Sequence, residues 1–282
     1  MTDFGGAIRS SEEFEIALLG IPYDAKSSYL RGAAQGPAAI RAASTDLAIN
    51  EFTEKAVNLE LDTVMVDLGD VDVSGDYSQV AAKVESAVGG ILAKRAVPII
   101  LGGDHSVTYP VVRALARRYR ALDILHFDSH PDLYDELYGD AHSHACSFAR
   151  IMEDGLARTL VQVGIRAASA PQRANAAKYG VRMMEMKDLT GIPALEFANP
   201  LYISFDLDAL DPAYAPGVSH HEAGGLSTRQ ALDIIHHLKA RIIGLDVVEL
   251  NATRDPLGIT AAAAVKIVKE TAAEVVLGRR QP

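Results

Sequence analysis

The chain lacks the features that announce several large classes of protein. It has one cysteine, Cys146, in 282 residues, which excludes an intrachain disulfide framework and fits a reducing compartment. It lacks a basic surplus: 27 Lys and Arg stand against 37 Asp and Glu, for a formal net charge of −10. The basic face of a nucleic-acid binder is therefore missing. The acidic surplus fits a site that attracts cations, and equally a merely soluble surface. No apolar run approaches the roughly 20 residues of a membrane span. The opening MTDFGGAIRSSEEFE carries no apolar secretory core. There is no linker, low-complexity tract or solenoid repeat. The expectation is a soluble cytoplasmic protein, one domain over residues 1–282, with no nucleic-acid or membrane partner.

What the chain does contain is an alternation of β-rich runs and Ala-rich helical stretches. FEIALLGIPYD, TVMVDLG, AVPIILGG, ALDILHFD, TLVQVGIR, LYISFDLDAL and RIIGLDVVEL read as strands. Between them GPAAIRAAS reads as a helix opened by Pro37, and YSQVAAKVESAVGGILAKR as one weakened by Gly89-Gly90. Further helices fall near VTYPVVRALARRY, SFARIMEDG, PQRANAAKYG, LSTRQALDIIHHLKA and TAAAAVKIVKETAAEVVL. Strands separated by helices imply parallel pairing with right-handed crossovers, hence an α/β fold with helices on both faces of one sheet. Ligands of such sheets bind at the carboxyl ends of the strands.

Acidic and imidazole side chains gather at those ends. In ILHFDSHPDLYD, Asp128, His130 and Asp132 fall at every second position, which on an extended chain turns them to one side, as does the spacing of Asp206 and Asp208, and Pro131 shows that the strand is ending. LGGDHS places His105 past a strand behind two glycines, SFDLD supplies Asp206 and Asp208, and DVVEL supplies Glu249. Each piece has an ordinary reading: Asp104 or Ser106 as a helix cap, Asp206 and Asp208 as solubilising residues. Together, five carboxylates converging at one sheet edge repel one another unless a cation is shared. Oxygen donors with one or two imidazoles suit Mn²⁺, with Fe, Co, Ni or Zn as alternatives. The donors outnumber the needs of one ion, so two ions sharing carboxylates is the simpler account.

The stretches GAAQGPAAIR, LGGDHSVTYP, ILHFDSHPDLYD, HSHACSFAR, SFDLDALDPAYAPGV and GLDVVELN resemble the ureohydrolases, the arginase and agmatinase family. They run in family order and cover nearly the whole chain after about Phe14. The resemblance implies a three-layer α/β/α domain around an eight-stranded, mostly parallel sheet, the arginase/deacetylase-like fold, and a trimer or hexamer of identical chains. It implies two Mn²⁺ per chain, one held by His105, Asp128, Asp132 and Asp206, the other by His130, Asp128, Asp206 and Asp208. His144 matches the proton shuttle and Glu249 the carboxylate that binds the substrate guanidinium. Ser129, Ala145 and Ala252 depart from the usual Ala, Gly and Pro without removing a ligand.

The implied reaction hydrolyses a guanidino group to urea and an amine. Tyr134 stands where animal-type arginases place Asn, which leans toward agmatinases. HSHACSFARIMEDG and APGVSHHEAGGLS are most similar to plant-type arginases, which leads to L-arginine, with agmatine and 4-guanidinobutyrate as alternatives. Ser143, Ser147, Ser219 and His220 are candidate rim donors, with Ser147 and His220 the chief substrate contacts. Two other classes remain: a one-metal zinc deacylase of the same fold, and a non-catalytic metal-bound subunit. Of the other histidines, His126 reads as packed core and His142, His236 and His237 as surface.

Overall fold

Among the described residues, 4–7, 11–45, 50 and 52–280 of a computed structural model, eight strands are interspersed with seven α-helices. The ends of the expected 1–282 domain, 1–3 and 281–282, lie outside them. The strands are β1 (Ile16–Gly20), β2 (Met65–Asp70), β3 (Val97–Leu101), β4 (Asp123–Phe127), β5 (Thr159–Ile165), β6 (Arg182–Glu185), β7 (Leu201–Asp206) and β8 (Ile242–Val248). The helices are α1 (Gly36–Ser44), α2 (Tyr77–Ala93), α3 (Thr108–Arg118), α4 (Ser147–Glu153), α5 (Ala170–Tyr179), α6 (Thr228–His236) and α7 (Ile259–Arg280). All strands join one sheet in the order β2-β1-β3-β8-β7-β4-β5-β6, and every pairing is parallel. No described helix is long and apolar enough to cross a membrane.

Period-2 alternation within the strands feeds two separate cores. Ile16 and Leu18 join one apolar cluster with residues of α1, α6 and α7, while Ala17 and Leu19 join another with residues of α2, α3 and α4. This is the three-layer arrangement that a sheet buried on both faces requires. Helix α2 runs unbroken through Gly89-Gly90 to Ala93. A capping box of Asp76 and Gln79 starts it, and Val84, Val88, Ile91 and Leu92 bury one face. That packing outweighs the ~1 kcal/mol per residue that glycine costs inside a helix.

The residues alone gave seven strands; β6, of sequence RMME, is the eighth. It pairs only with β5, at the sheet edge, and none of its residues is fully buried. Its methionines and charges carry little β propensity. The pairing and the Arg173–Glu185 ion pair at 2.7 Å hold what the local sequence does not announce.

Candidate active site

The four strands that deliver the candidate residues, β3, β8, β7 and β4, are consecutive neighbours at the centre of the sheet. His105 follows β3 after a turn in which a Cβ on Gly103 would overlap the Tyr23 carbonyl, so the chain needs glycine there. Asp104 caps that turn, accepting from the Ser106 amide at 3.1 Å. At the end of β4, Asp128 Oδ1 accepts from the His130 amide at 2.6 Å; at the end of β7, Asp206 Oδ1 accepts from the Asp208 amide at 2.8 Å. Both pairs therefore sit on side-chain-closed turns just past the strand, instead of on the extended chain that their spacing suggested. Asp132 and Glu249 have φ of 50° and 65°. Non-glycine residues in that left-handed region are uncommon and concentrate at functional sites.

The side chains form two adjoining groups. His105 Nδ1 lies 3.1 Å from Asp206 Oδ2, 3.2 Å from Asp132 Oδ2 and 3.3 Å from Asp128 Oδ2. His130 Nδ1 lies 3.1 Å from Asp208 Oδ2 and 3.5 Å from Asp128 Oδ1. Asp128 thus turns one oxygen to each group. By distance, His105, His126 and Asp128, and separately Asp128, His130 and Asp208, bring potential ligand atoms within 4.8 Å of one another. Ser129, one of the departures from the family pattern, donates from Oγ to Asp208 Oδ1 at 2.8 Å.

Asp128, Asp132, Asp206 and Asp208 are buried, so their charges cannot be left to water. Burial, with the charges of Asp208 and Asp128, pushes Asp206 well above the carboxylate range; burial and Asp128 likewise push Asp132 up. Burial pulls His130 down, but Asp208 and Asp128 outweigh it and carry the imidazole up to about 12. Imidazolium charge stands here where a bound cation's charge would otherwise balance the carboxylates. An oxygen-rich donor set with two imidazoles fits a hard or borderline divalent ion.

Outer side chains orient these donors. Ser204 Oγ donates to Asp246 Oδ1 at 2.7 Å, so it can accept from His105 Nε2 at 3.0 Å. Asp246 Oδ2 is held by Tyr202 at 2.6 Å and Thr108 at 2.8 Å. With its Nε2–H donating to Ser204, His105 turns Nδ1 to the carboxylates. Against the pull of burial, these hold a proton on it in the cation-free chain and raise it well above its usual range; a bound cation would take that proton's place on the Nδ1 lone pair. Sequence reasoning missed this chain of groups. Its one signal was a carboxylate, Asp246, in the middle of the apolar strand IIGLDVV.

A cavity of about 210 Å³ opens beside the two groups, lined among others by His130, Asp132, Tyr134, His144, His220 and Glu249. His144 Nδ1 lies 3.1 Å from Glu249 Oε1, and Ser28 Oγ lies 2.8 Å from His144 Nε2. Ser28 was not singled out in the sequence, yet its hydroxyl and its amide N–H, the latter at 3.2 Å, both face Nε2, which accepts when the ring is neutral and leaves the proton on Nδ1 toward Glu249. His220 is half-buried, with its ring 5.5 Å from that of His144 and 5.7 Å from that of His130. Ser147 is placed differently: its Oγ donates to the His105 carbonyl at 2.9 Å, and it is not among the lining residues. Ser219 donates to the Leu30 carbonyl at 2.8 Å. His236 is half-buried against Glu270 at 3.0 Å, where surface had been expected.

Burial pulls His144 down, but the hydrogen bond and charge of Glu249 outweigh it and carry the imidazole up to about 9. Glu249 is in turn held below its usual range, His144 outweighing burial. The folded chain therefore binds the His144 proton more tightly than the unfolded chain. That contribution to stability is complete below the unfolded pKa of about 6.5 and is lost as pH rises through about 9. In metal-free protein, nitrogen NMR should show His144 releasing its proton near 9, and Glu249→Gln should bring the midpoint down by more than one unit. An unmoved midpoint would show that Glu249 is not the cause.

Likeness to known proteins bears on identity. The model of the arginase family matches residues 14–273. Arginase 1, mitochondrial, of Arabidopsis thaliana is 42% identical over 96% of this chain and 82% of its own length. Agmatinase, mitochondrial, of Gallus gallus is 35% identical over 93% of this chain and 81% of its own. The solved structure of the arginase from Medicago truncatula superposes with a TM-score of 0.88 at 42% identity, covering 93% of this chain and 87% of that one. The cytoplasmic placement expected from the sequence is overturned here, because matched plant arginases are named mitochondrial or chloroplastic/mitochondrial. With a family match that spans residues 14–273, and so the whole sheet and the cavity, this chain is a member of the arginase family.

Proposed function

We propose that this protein is a binuclear manganese hydrolase, a single ureohydrolase domain that cleaves L-arginine to L-ornithine and urea. The observation that carries the substrate is its likeness to plant arginases, greater than its likeness to agmatinase over a comparable span. His105, Asp128, Asp132 and Asp206 would hold one Mn²⁺, and His130, Asp128, Asp206 and Asp208 the other. A cation pair there supplies a water whose pKa is brought toward neutral.

The remaining work falls to the chain's own groups. A guanidinium is cationic and a poor electrophile, so it must be neutralised and held still. Glu249 Oε1 accepts from the His105 amide at 2.9 Å and faces His144 Nδ1 at 3.1 Å. Oε2 has no partner among the described residues, and Glu249 lines the cavity. That oxygen is free to take charge-assisted bonds from the guanidinium and fix its carbon in place. His144 then protonates the departing amine. Tyr134 and His220 stand at the rim, where arginine and agmatine differ.

Urea release from Mn²⁺-loaded protein tests this directly. Arginine should exceed agmatine and 4-guanidinobutyrate in kcat/KM by about tenfold or more, about 1.4 kcal/mol of transition-state discrimination. A clear preference for agmatine ends the arginine assignment and keeps the ureohydrolase one. No urea from any of the three overturns the proposal. The same reading carries a trimer or hexamer, which sedimentation of the native protein checks.

A further inference from the structure

On distance alone His126 groups with His105 and Asp128 as if it were a third kind of ligand. Its hydrogen bonds say otherwise. Gln162 Nε2 lies 2.7 Å from the Pro131 carbonyl, and a carbonyl only accepts. The contacting atom must therefore be the amide nitrogen; a flipped amide would set oxygen against oxygen. The same Nε2 lies 3.0 Å from His126 Nδ1, so Nδ1 accepts. The neutral ring then carries its proton on Nε2, which donates to Asp128 Oδ2 at 2.8 Å. Neither ring nitrogen keeps a lone pair for a cation. The orientation holds although Gln162 Oε1 is buried without a partner among the described residues, a cost the fold accepts.

We propose that Gln162 and His126 form a fixed relay that positions Asp128, and that His126 is a positioning residue and not a metal ligand. The inference rests on the reading that Asp128 binds both cations. Asp128 Oδ1 is tied to the His130 amide and Oδ2 to His126, so each oxygen is steered by one donor and keeps a lone pair for the group it faces. The ring of His126 is fully buried and stacked on Phe148, with centroids 3.8 Å apart and planes at 24°, which removes its freedom to turn away. Pro131 takes part through its carbonyl, so the relay also ties the turn that carries His130 and Asp132 to β5.

Metal-free protein titrated with Mn²⁺ alone, with bound metal counted after dialysis, tests the relay. His126→Phe keeps the ring and its stack but loses the donor, and should weaken Mn²⁺ retention about 10–100-fold. His126→Gln places an amide N–H near the position of Nε2 and should restore most of that loss, which a purely structural role would not produce. Nitrogen NMR of metal-free wild type should show the proton on Nε2, and Gln162→Met should yield a mixture of tautomers. A proton on Nδ1 in the wild type, or wild-type Mn²⁺ affinity in His126→Phe, overturns the proposal. Wild type that takes up no Mn²⁺ overturns both this inference and the metal reading beneath it.

Discussion

Replacing Asp128 by Asn should empty both cation positions and reduce urea release by about three orders of magnitude or more. The size follows from what the cation pair is asked to supply, several kcal/mol at about 1.4 kcal/mol per tenfold. Asp128 is the residue whose two oxygens face different groups, Oδ2 toward His105 and Oδ1 toward His130. An amide at that position loses one oxygen donor and the negative charge together. Asp208→Asn is the internal control, because Asp208 faces only the His130 group. It should release chiefly one of two ions. Thermal unfolding separates metal loss from misfolding: Mn²⁺ bound only by the folded state stabilises it by about 2.7 kcal/mol per site at a hundredfold excess over Kd. Wild type should therefore gain several degrees in Tm on adding Mn²⁺, and Asp128→Asn should gain almost nothing. Two tightly held ions in Asp128→Asn would refute the shared role.

Most of this arrangement was legible because the alternation of strands and helices fixes which ends of the strands face one way. His105, Asp128, Asp206 and Glu249 each follow an apolar run, so a parallel sheet brings them to one edge whatever the order of the strands. The order β3-β8-β7-β4 was not legible from the residues, since nothing local records which strands become neighbours. The reason given for the paired residues was partly wrong. Strands β4 and β7 stop at Phe127 and Asp206, and turns closed by the Asp128 and Asp206 side chains make the pairs converge. An i to i+2 spacing looks the same on a strand and on such a turn.

The supporting groups were harder to see. His126, Gln162, Ser204 and Asp246 lie within strands made mostly of apolar residues, and Ser28 lies far away in sequence from the His144 it meets. A polar residue in a buried strand signals only that it must find a partner. Which partner is a matter of sheet register: Ser204 stands opposite Asp246 and His126 opposite Gln162 in neighbouring strands. Register is a tertiary fact. The histidine readings show the same boundary, since His126 is packed as expected and yet bonded to Asp128, which hydrophobic context alone could not reveal.

His144→Ala should keep the bound metal and lose turnover by about 10²–10⁴-fold, the usual worth of a positioned acid or base. The metal should stay because the ring's nitrogens face Glu249 and Ser28 and not the carboxylates that group around His105 and His130. Turnover should fall because no other imidazole facing the cavity is so placed. His130 belongs to the carboxylate group, and burial pulls His220 down, so it is neutral where a proton donor is needed. The pH profile gives the sign. An acid acts only in its protonated form, so wild-type urea release should rise from acidic toward alkaline pH as the water is activated, then decline once His144 loses its proton. That loss falls near 9 in the cation-free chain, and bound cations can only lower it. In His144→Ala the alkaline decline should disappear while the rise remains. Full turnover in this variant, or a decline unchanged by the substitution, would remove His144 from the proton transfer.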